Sequence, residues 1–89
     1  MTLDSFREQI DIIDQEIIIF LGKRLDIVRR AAKHKIENNI KIFDPEREKK
    51  LLKRLRNIAR NEGVCEDFIV KIYKVIIEHS KNIQYYETL

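Results

Sequence analysis

The chain of 89 residues carries 18 Lys and Arg against 15 Asp and Glu, a formal net charge of +3, with two Gly, one Pro and one Cys. So mild an excess suits anionic ligands but not nucleic acid, which calls for a one-sign stripe with stacking aromatics; Arg29, Arg30 and Lys33 form only a small cluster, and Lys49, Lys50, Lys53 and Arg54 read as a solvated helix face. A lone Cys65 excludes an intrachain disulfide or a cysteine metal cluster and suits a reducing cytosol, and the strongest apolar run, residues 17–21, is too short for a membrane span or a secretion signal, so a cytoplasmic place and no membrane partner are expected.

The first predicted element spans about residues 2–38 and is uninterrupted by Pro. Leu3, Ile10, Ile17 and Ala31 recur on one heptad row and Phe6, Ile13, Phe20 and Ile27 on another, with Leu21 and Val28 widening the stripe. Strands cannot produce that spacing; a helix does. Thr2 or Asp4 suits its N-cap, and Glu37-Asn38-Asn39 suits a turn because Asn tolerates left-handed backbone. A second helix opens at Asp44-Pro45, a capping residue followed by a proline whose missing N–H costs nothing at the first helical position. It carries Leu51, Leu52, Leu55, Ile58 and Ala59 inward and stops at Gly63. The third helix runs from about residue 66 to 86, its expected inward row being Phe68 or Ile69, Ile72, Val75, Ile76 and Ile83. These elements predict an all-α protein of three helices, a single domain over residues 1–89.

Length then forces a partner. About 35 helical residues span roughly 50 Å, whereas a compact globule of this size is only about 30 Å across. The shorter helices cannot cover the whole stripe of the first, so a homodimer is expected.

Several polar residues interrupt the apolar faces. Arg24 lies on the row of Leu3, Ile10, Ile17 and Ala31, where its charge needs an anion: either an acid such as Asp14 or Glu48, or a ligand, the reading favoured by its central position. Lys35 follows about 16 Å along the axis and nearly in line, although a lysine near a helix C-terminus also complements the dipole. Arg7, about 42 Å from Lys35, is either plain surface or part of another subunit's site. Asp44, Arg47 and Glu48 extend the inward stripe of the second helix to its start, and Ser80 and Gln84 follow Ile76 at four-residue steps on the third. Singly, each has a structural explanation. Together, cations, an acid, a hydroxyl and an amide on faces that should meet suit a small, oxygen-rich polyanion enclosed by helices.

In that order the residues resemble the all-helical chorismate mutases. The opening Phe6-Arg7-Glu8-Gln9-Ile10-Asp11-Ile12-Ile13-Asp14 is similar to that family's "LR..ID.ID"; Lys23-Arg24 and Lys33-His34-Lys35 follow. Ile42-Phe43-Asp44-Pro45-Glu46-Arg47-Glu48 looks like its "D..RE" signature, and Ile76-Ile77-Glu78-His79-Ser80 with Gln84 completes the match. The resemblance implies an intertwined helical homodimer with two sites, and the rearrangement of chorismate to prephenate on the route to phenylalanine and tyrosine. That one-step pericyclic shift needs no nucleophile, metal or cofactor, so neither His34 nor His79 is assigned a part. It further implies that Arg24, with Arg7 of the partner subunit, clamps the two carboxylates. Lys35 and Gln84 would donate to the ether oxygen, and Glu48 with the backbone near Asp44 would hold the ring hydroxyl. Arg47 would line and orient the site, and Ser80 would support a carboxylate. Ala31 and Ala32 are smaller than the family's packing suggests. Isochorismate pyruvate lyases share the fold and clamp, but that activity goes with loss of the second-helix acid and the third-helix serine; Glu48 and Ser80 favour the mutase. A non-catalytic regulatory helical dimer is the remaining alternative.

Overall fold

Thr2 starts the first helix by accepting the amide of Ser5 at 3.2 Å, and α1 then runs unbroken over Leu3–Glu37. A computed structural model describes residues 2–87; the expected domain 1–89 therefore has residues 1, 88 and 89 outside the described range. Asp44 caps α2 (Pro45–Asn61) by accepting the amide of Arg47 at 3.0 Å, and α3 spans Glu66–Glu87.

Both turns use one device. At the end of α1, Asn39 takes φ 54°, and the Ile40 amide reaches back to the Lys35 carbonyl at 2.8 Å. At the end of α2, Gly63 takes φ 70°, and the Val64 amide reaches the Ala59 carbonyl at 2.8 Å. This left-handed stop satisfies carbonyls that the helix leaves open, and Gly and Asn adopt it at least cost. Exposed pairs from Arg56 to Asp67 and from Arg60 to Glu66, each at 3.1 Å, fasten α2 to the first turn of α3. The hydrogen bonds that Arg60 donates to Glu66, and then the carboxylate's charge, raise the Arg60 guanidinium above its ordinary pKa.

Helix α3 packs on α1 and on α2, which among the described residues do not pack on each other. The core is correspondingly small: Ala32, Leu55, Ala59, Val70 and Ile77, with the polar Ser80 and Gln84 buried beside them. Ala32, expected to be undersized, has no exposed surface at all, so its missing volume is what lets the neighbouring helix approach. Ala32→Leu should therefore overpack the core and lower stability by about 1–3 kcal/mol in urea unfolding.

Two inward rows need correction. On α3, Phe68, Ile72 and Val75 are exposed, and the row facing the chain's own core is Val70, Ile77, Ser80 and Gln84. On α2, Ile58 is exposed while Leu55 and Ala59 are buried. The cause is that α3 is apolar on more than one face, and periodicity identifies an apolar face without saying what lies against it.

The long helix remains uncovered over most of its length. Leu3, Phe6, Ile10, Ile13, Ile17 and Phe20 are all exposed, and only the C-terminal part of α1, from Leu21 onward, meets α3. The radius of gyration is 16.3 Å, against about 12 Å for a compact chain of this length. Among the described residues, no helix is long and apolar enough to cross a membrane.

Candidate active site

The covered end of α1, the α1–α2 loop, the first turn of α2 and the last turns of α3 line an open-mouthed cavity of about 160 Å³. Seven of the eight expected site residues line it: Arg24 and Lys35 from α1, Asp44 before α2, Arg47 and Glu48 on α2, and Ser80 and Gln84 on α3. Arg7 does not. Its side chain stands well exposed near the start of α1, 3.9 Å from Asp4.

Arg24 does not find an acid. Its Nη1 donates to Ser80 Oγ at 2.7 Å, and Ser80 Oγ in turn donates to the Ile76 carbonyl at 2.8 Å. The hydroxyl thus orients the guanidinium without neutralising it, leaving the other N–H groups of the fork for a carboxylate. Neither Asp14 nor Glu48 is its partner, and among the described residues no acid pairs with it.

Lys35 Nζ donates to Gln84 Oε1 at 2.7 Å and to the Ile42 carbonyl at 3.2 Å. An ammonium has only donors, so it fixes the amide with its oxygen toward Lys35 and its nitrogen away. Gln84 Nε2 spends one hydrogen on the Ser80 carbonyl at 3.3 Å. Each side chain therefore keeps one hydrogen uncommitted, and the two sit side by side on the cavity wall. Two preorganised donors, one of them charged, suit a single oxygen that gains negative charge.

Asp44 has its carboxylate engaged as the cap of α2, and Arg47, whose amide it holds, has an exposed side chain. Glu48 is half-buried and 3.5 Å from Lys81. Lys81 was not among the expected residues. It follows Ser80 directly and reads in sequence as a solvated lysine, yet it lines the cavity and lies 4.2 Å from the centre of the Phe43 ring. Phe43 and the Ile42 carbonyl, both on the loop, were likewise not singled out for the site; loop geometry has no periodic signal from which to find them. Four cations against two carboxylates leave the cavity with a formal excess of two positive charges.

Comparison with known proteins agrees with this geometry. Residues 6–85 match the family described as chorismate mutase type II.

The chain belongs to that family.

It is 35% identical over 82 residues to the chorismate mutase of Methanocaldococcus jannaschii, a match covering 92% of this chain and 83% of the relative. It is 41% identical over 76 residues to the bifunctional chorismate mutase/prephenate dehydratase of Buchnera aphidicola subsp. Schizaphis graminum, covering 85% of this chain but 20% of that protein. The T-protein of Haemophilus influenzae is 32% identical over 78 residues, 88% of this chain and 21% of the relative. The chain thus spans about a fifth of the two larger proteins and most of the Methanocaldococcus jannaschii one.

Proposed function

We propose that the chain is a chorismate mutase, acting in the cytoplasm as one helical domain over residues 1–89 and as an intertwined homodimer. The observation that carries the reading is the Lys35–Gln84 pair, with one unspent donor on each, inside a cavity carrying two unmet positive charges. Chorismate brings two carboxylates and an ether oxygen. In the rearrangement the ether C–O bond breaks as a C–C bond forms, the electrons move round a six-membered cycle, and no proton is transferred. Negative charge grows on the ether oxygen, where Lys35 and Gln84 donate. Arg24, oriented by Ser80, takes one carboxylate, and Arg7 of the partner subunit assists the clamp. Glu48 and the backbone near Asp44 receive the ring hydroxyl, and Arg47 lines the entrance. Holding the side chain folded over the ring converts a rare substrate conformer into the bound one.

A second copy accounts for the uncovered α1. The accessible surface is 7427 Å², against roughly 5,500 Å² for a compact monomer of 10.7 kDa. The difference is of the size an obligate homodimer buries per subunit. It also gives Arg7 its part, because that residue lies outside its own chain's cavity.

The direct test supplies chorismate and follows prephenate. Release of pyruvate from isochorismate would make the chain a lyase, and no turnover of either would leave it a regulatory module. A mixing experiment tests the shared site. Arg7→Ala and Lys35→Ala homodimers should both be nearly inactive. Refolded together, they form heterodimers with one intact site, and activity should return to about a quarter of wild type for random pairing. Recovery of none would remove Arg7 from the neighbouring site.

A further inference from the structure

Lys81 has no part in the reaction described above, yet three elements meet at its ammonium. Nζ lies 3.5 Å from Glu48 Oε2 on α2, 3.9 Å from Glu78 Oε2 on α3, and 4.2 Å from the centroid of Phe43 on the loop. The Lys81 and Glu48 side chains are 22% and 26% exposed, whereas that of Glu78 is 67% exposed. The contact to Glu78 is therefore screened by water, and the pair with Glu48 is the one that holds.

The setting gives that pair a consequence. Glu48 lines the same cavity as Arg24 and Lys35, the two cations that must meet the ligand. Among the described residues both are bonded only to neutral acceptors: Ser80 Oγ for Arg24, and Gln84 Oε1 and the Ile42 carbonyl for Lys35. A flexible carboxylate with no cation of its own would be drawn to one of them. Every binding event would then have to break that pair before the substrate's carboxylates could enter, which weakens binding.

We propose that Lys81 is a positioning residue, which holds the Glu48 carboxylate off Arg24 and Lys35 so that the basic clamp stays open for a dianion. This rests on the mutase reading. The Phe43 contact sets where the ammonium can sit, because a cation over a ring face is attracted to it. Lys81 thereby ties the loop to α2 and α3 at the cavity wall.

The test is a double-variant cycle in the full chain. Lys81→Met should raise KM for chorismate about tenfold while kcat changes by less than about threefold, and Lys81→Arg should restore most of the loss. In a Glu48→Gln background the same Lys81→Met change should add less than about twofold, because no carboxylate remains to be held. An unchanged KM, an equal fold-loss in both backgrounds, or failure of Arg to rescue overturns the proposal. Lys81→Gln, run alongside, keeps the result independent of how the Met variant folds. Thermal melts at fixed protein concentration give a readout independent of turnover. The double variant should melt within about 2 °C of the lower single variant, whereas simple addition of the two shifts overturns the pairing. A wild-type chain that leaves chorismate unchanged sinks the mutase reading, and the melts still decide whether Lys81 and Glu48 act as a unit.

Discussion

Lys35→Ala should lower kcat/KM for chorismate by about 10²–10³, with most of the loss in kcat. Lys35 has two partners within the chain and a third role proposed for it, and they separate by measurement. Its bond to the Ile42 carbonyl at 3.2 Å ties the loop to α1, and losing a bond of that kind costs about 1 kcal/mol of stability, visible in melts but not in chemistry. Its bond to Gln84 Oε1 at 2.7 Å sets which end of the amide faces inward, so the truncation also frees Gln84 to turn its oxygen toward the reacting ether. The third hydrogen is the one proposed to meet the charge developing in the transition state. A donor used only there lowers kcat without raising KM, which distinguishes it from a lysine that merely attracts a dianion. Lys35→Arg keeps the charge but replaces a compact ammonium by a planar fork, and should recover binding more than rate. Equal chorismate depletion by the wild type and Lys35→Ala would end the catalytic reading of this residue.

What the sequence makes legible, and what it hides, divides along local and non-local lines. Asp44-Pro45, Asn39 and Gly63 could be read directly because each does its work within a few residues of itself, as a cap or a left-handed stop. The expectation that α1 outruns the rest of the chain followed from its length alone, and the exposure of Leu3 through Phe20 agrees with it. Seven of the expected residues line one cavity, and each had drawn notice because it broke or extended an apolar pattern. The facing of α3 was judged only in part: Ile69, Ile76 and Ile83 of the expected row are half-buried, but Phe68, Ile72 and Val75 form an apolar face as regular as that of Val70 and Ile77, and only packing distinguishes them. Arg24 was given an acid or a ligand as its counterpart, but its neighbour within the chain is Ser80, a residue that offers an oxygen without a charge. Lys81 was overlooked for a related reason. A lysine on a helix is ordinarily solvent-facing, and its inward position depends on Glu48 and Phe43, which are remote in sequence.

Gln84→Glu should confine activity to acid, and the sign follows from what the new group can donate. The wild-type amide carries no titrating proton, so the hydrogen bond proposed from it to the ether oxygen would be present at every pH, and the rate should stay nearly flat from mildly acidic to mildly basic conditions. A glutamic acid in its place donates only while protonated. Once ionised it is a pure acceptor and sets a negative charge against the oxygen where negative charge must grow. Activity should therefore fall by about tenfold per pH unit above the carboxyl's own pKa. Two influences place that midpoint. The ammonium of Lys35, 2.7 Å from the present amide oxygen, favours the ionised carboxylate and draws the midpoint down. Burial, since Gln84 is only 8% exposed, and a bound dianion both favour the neutral acid and draw it up. The free enzyme and the substrate complex should consequently differ, with kcat holding to higher pH than kcat/KM. The variant keeps its neutral donor only below that midpoint and has lost most of it by pH 8, at roughly 10²-fold or more below wild type. A variant as active at pH 8 as the wild type would show that Gln84 gives no hydrogen bond to the breaking bond, leaving Lys35 to carry that charge alone.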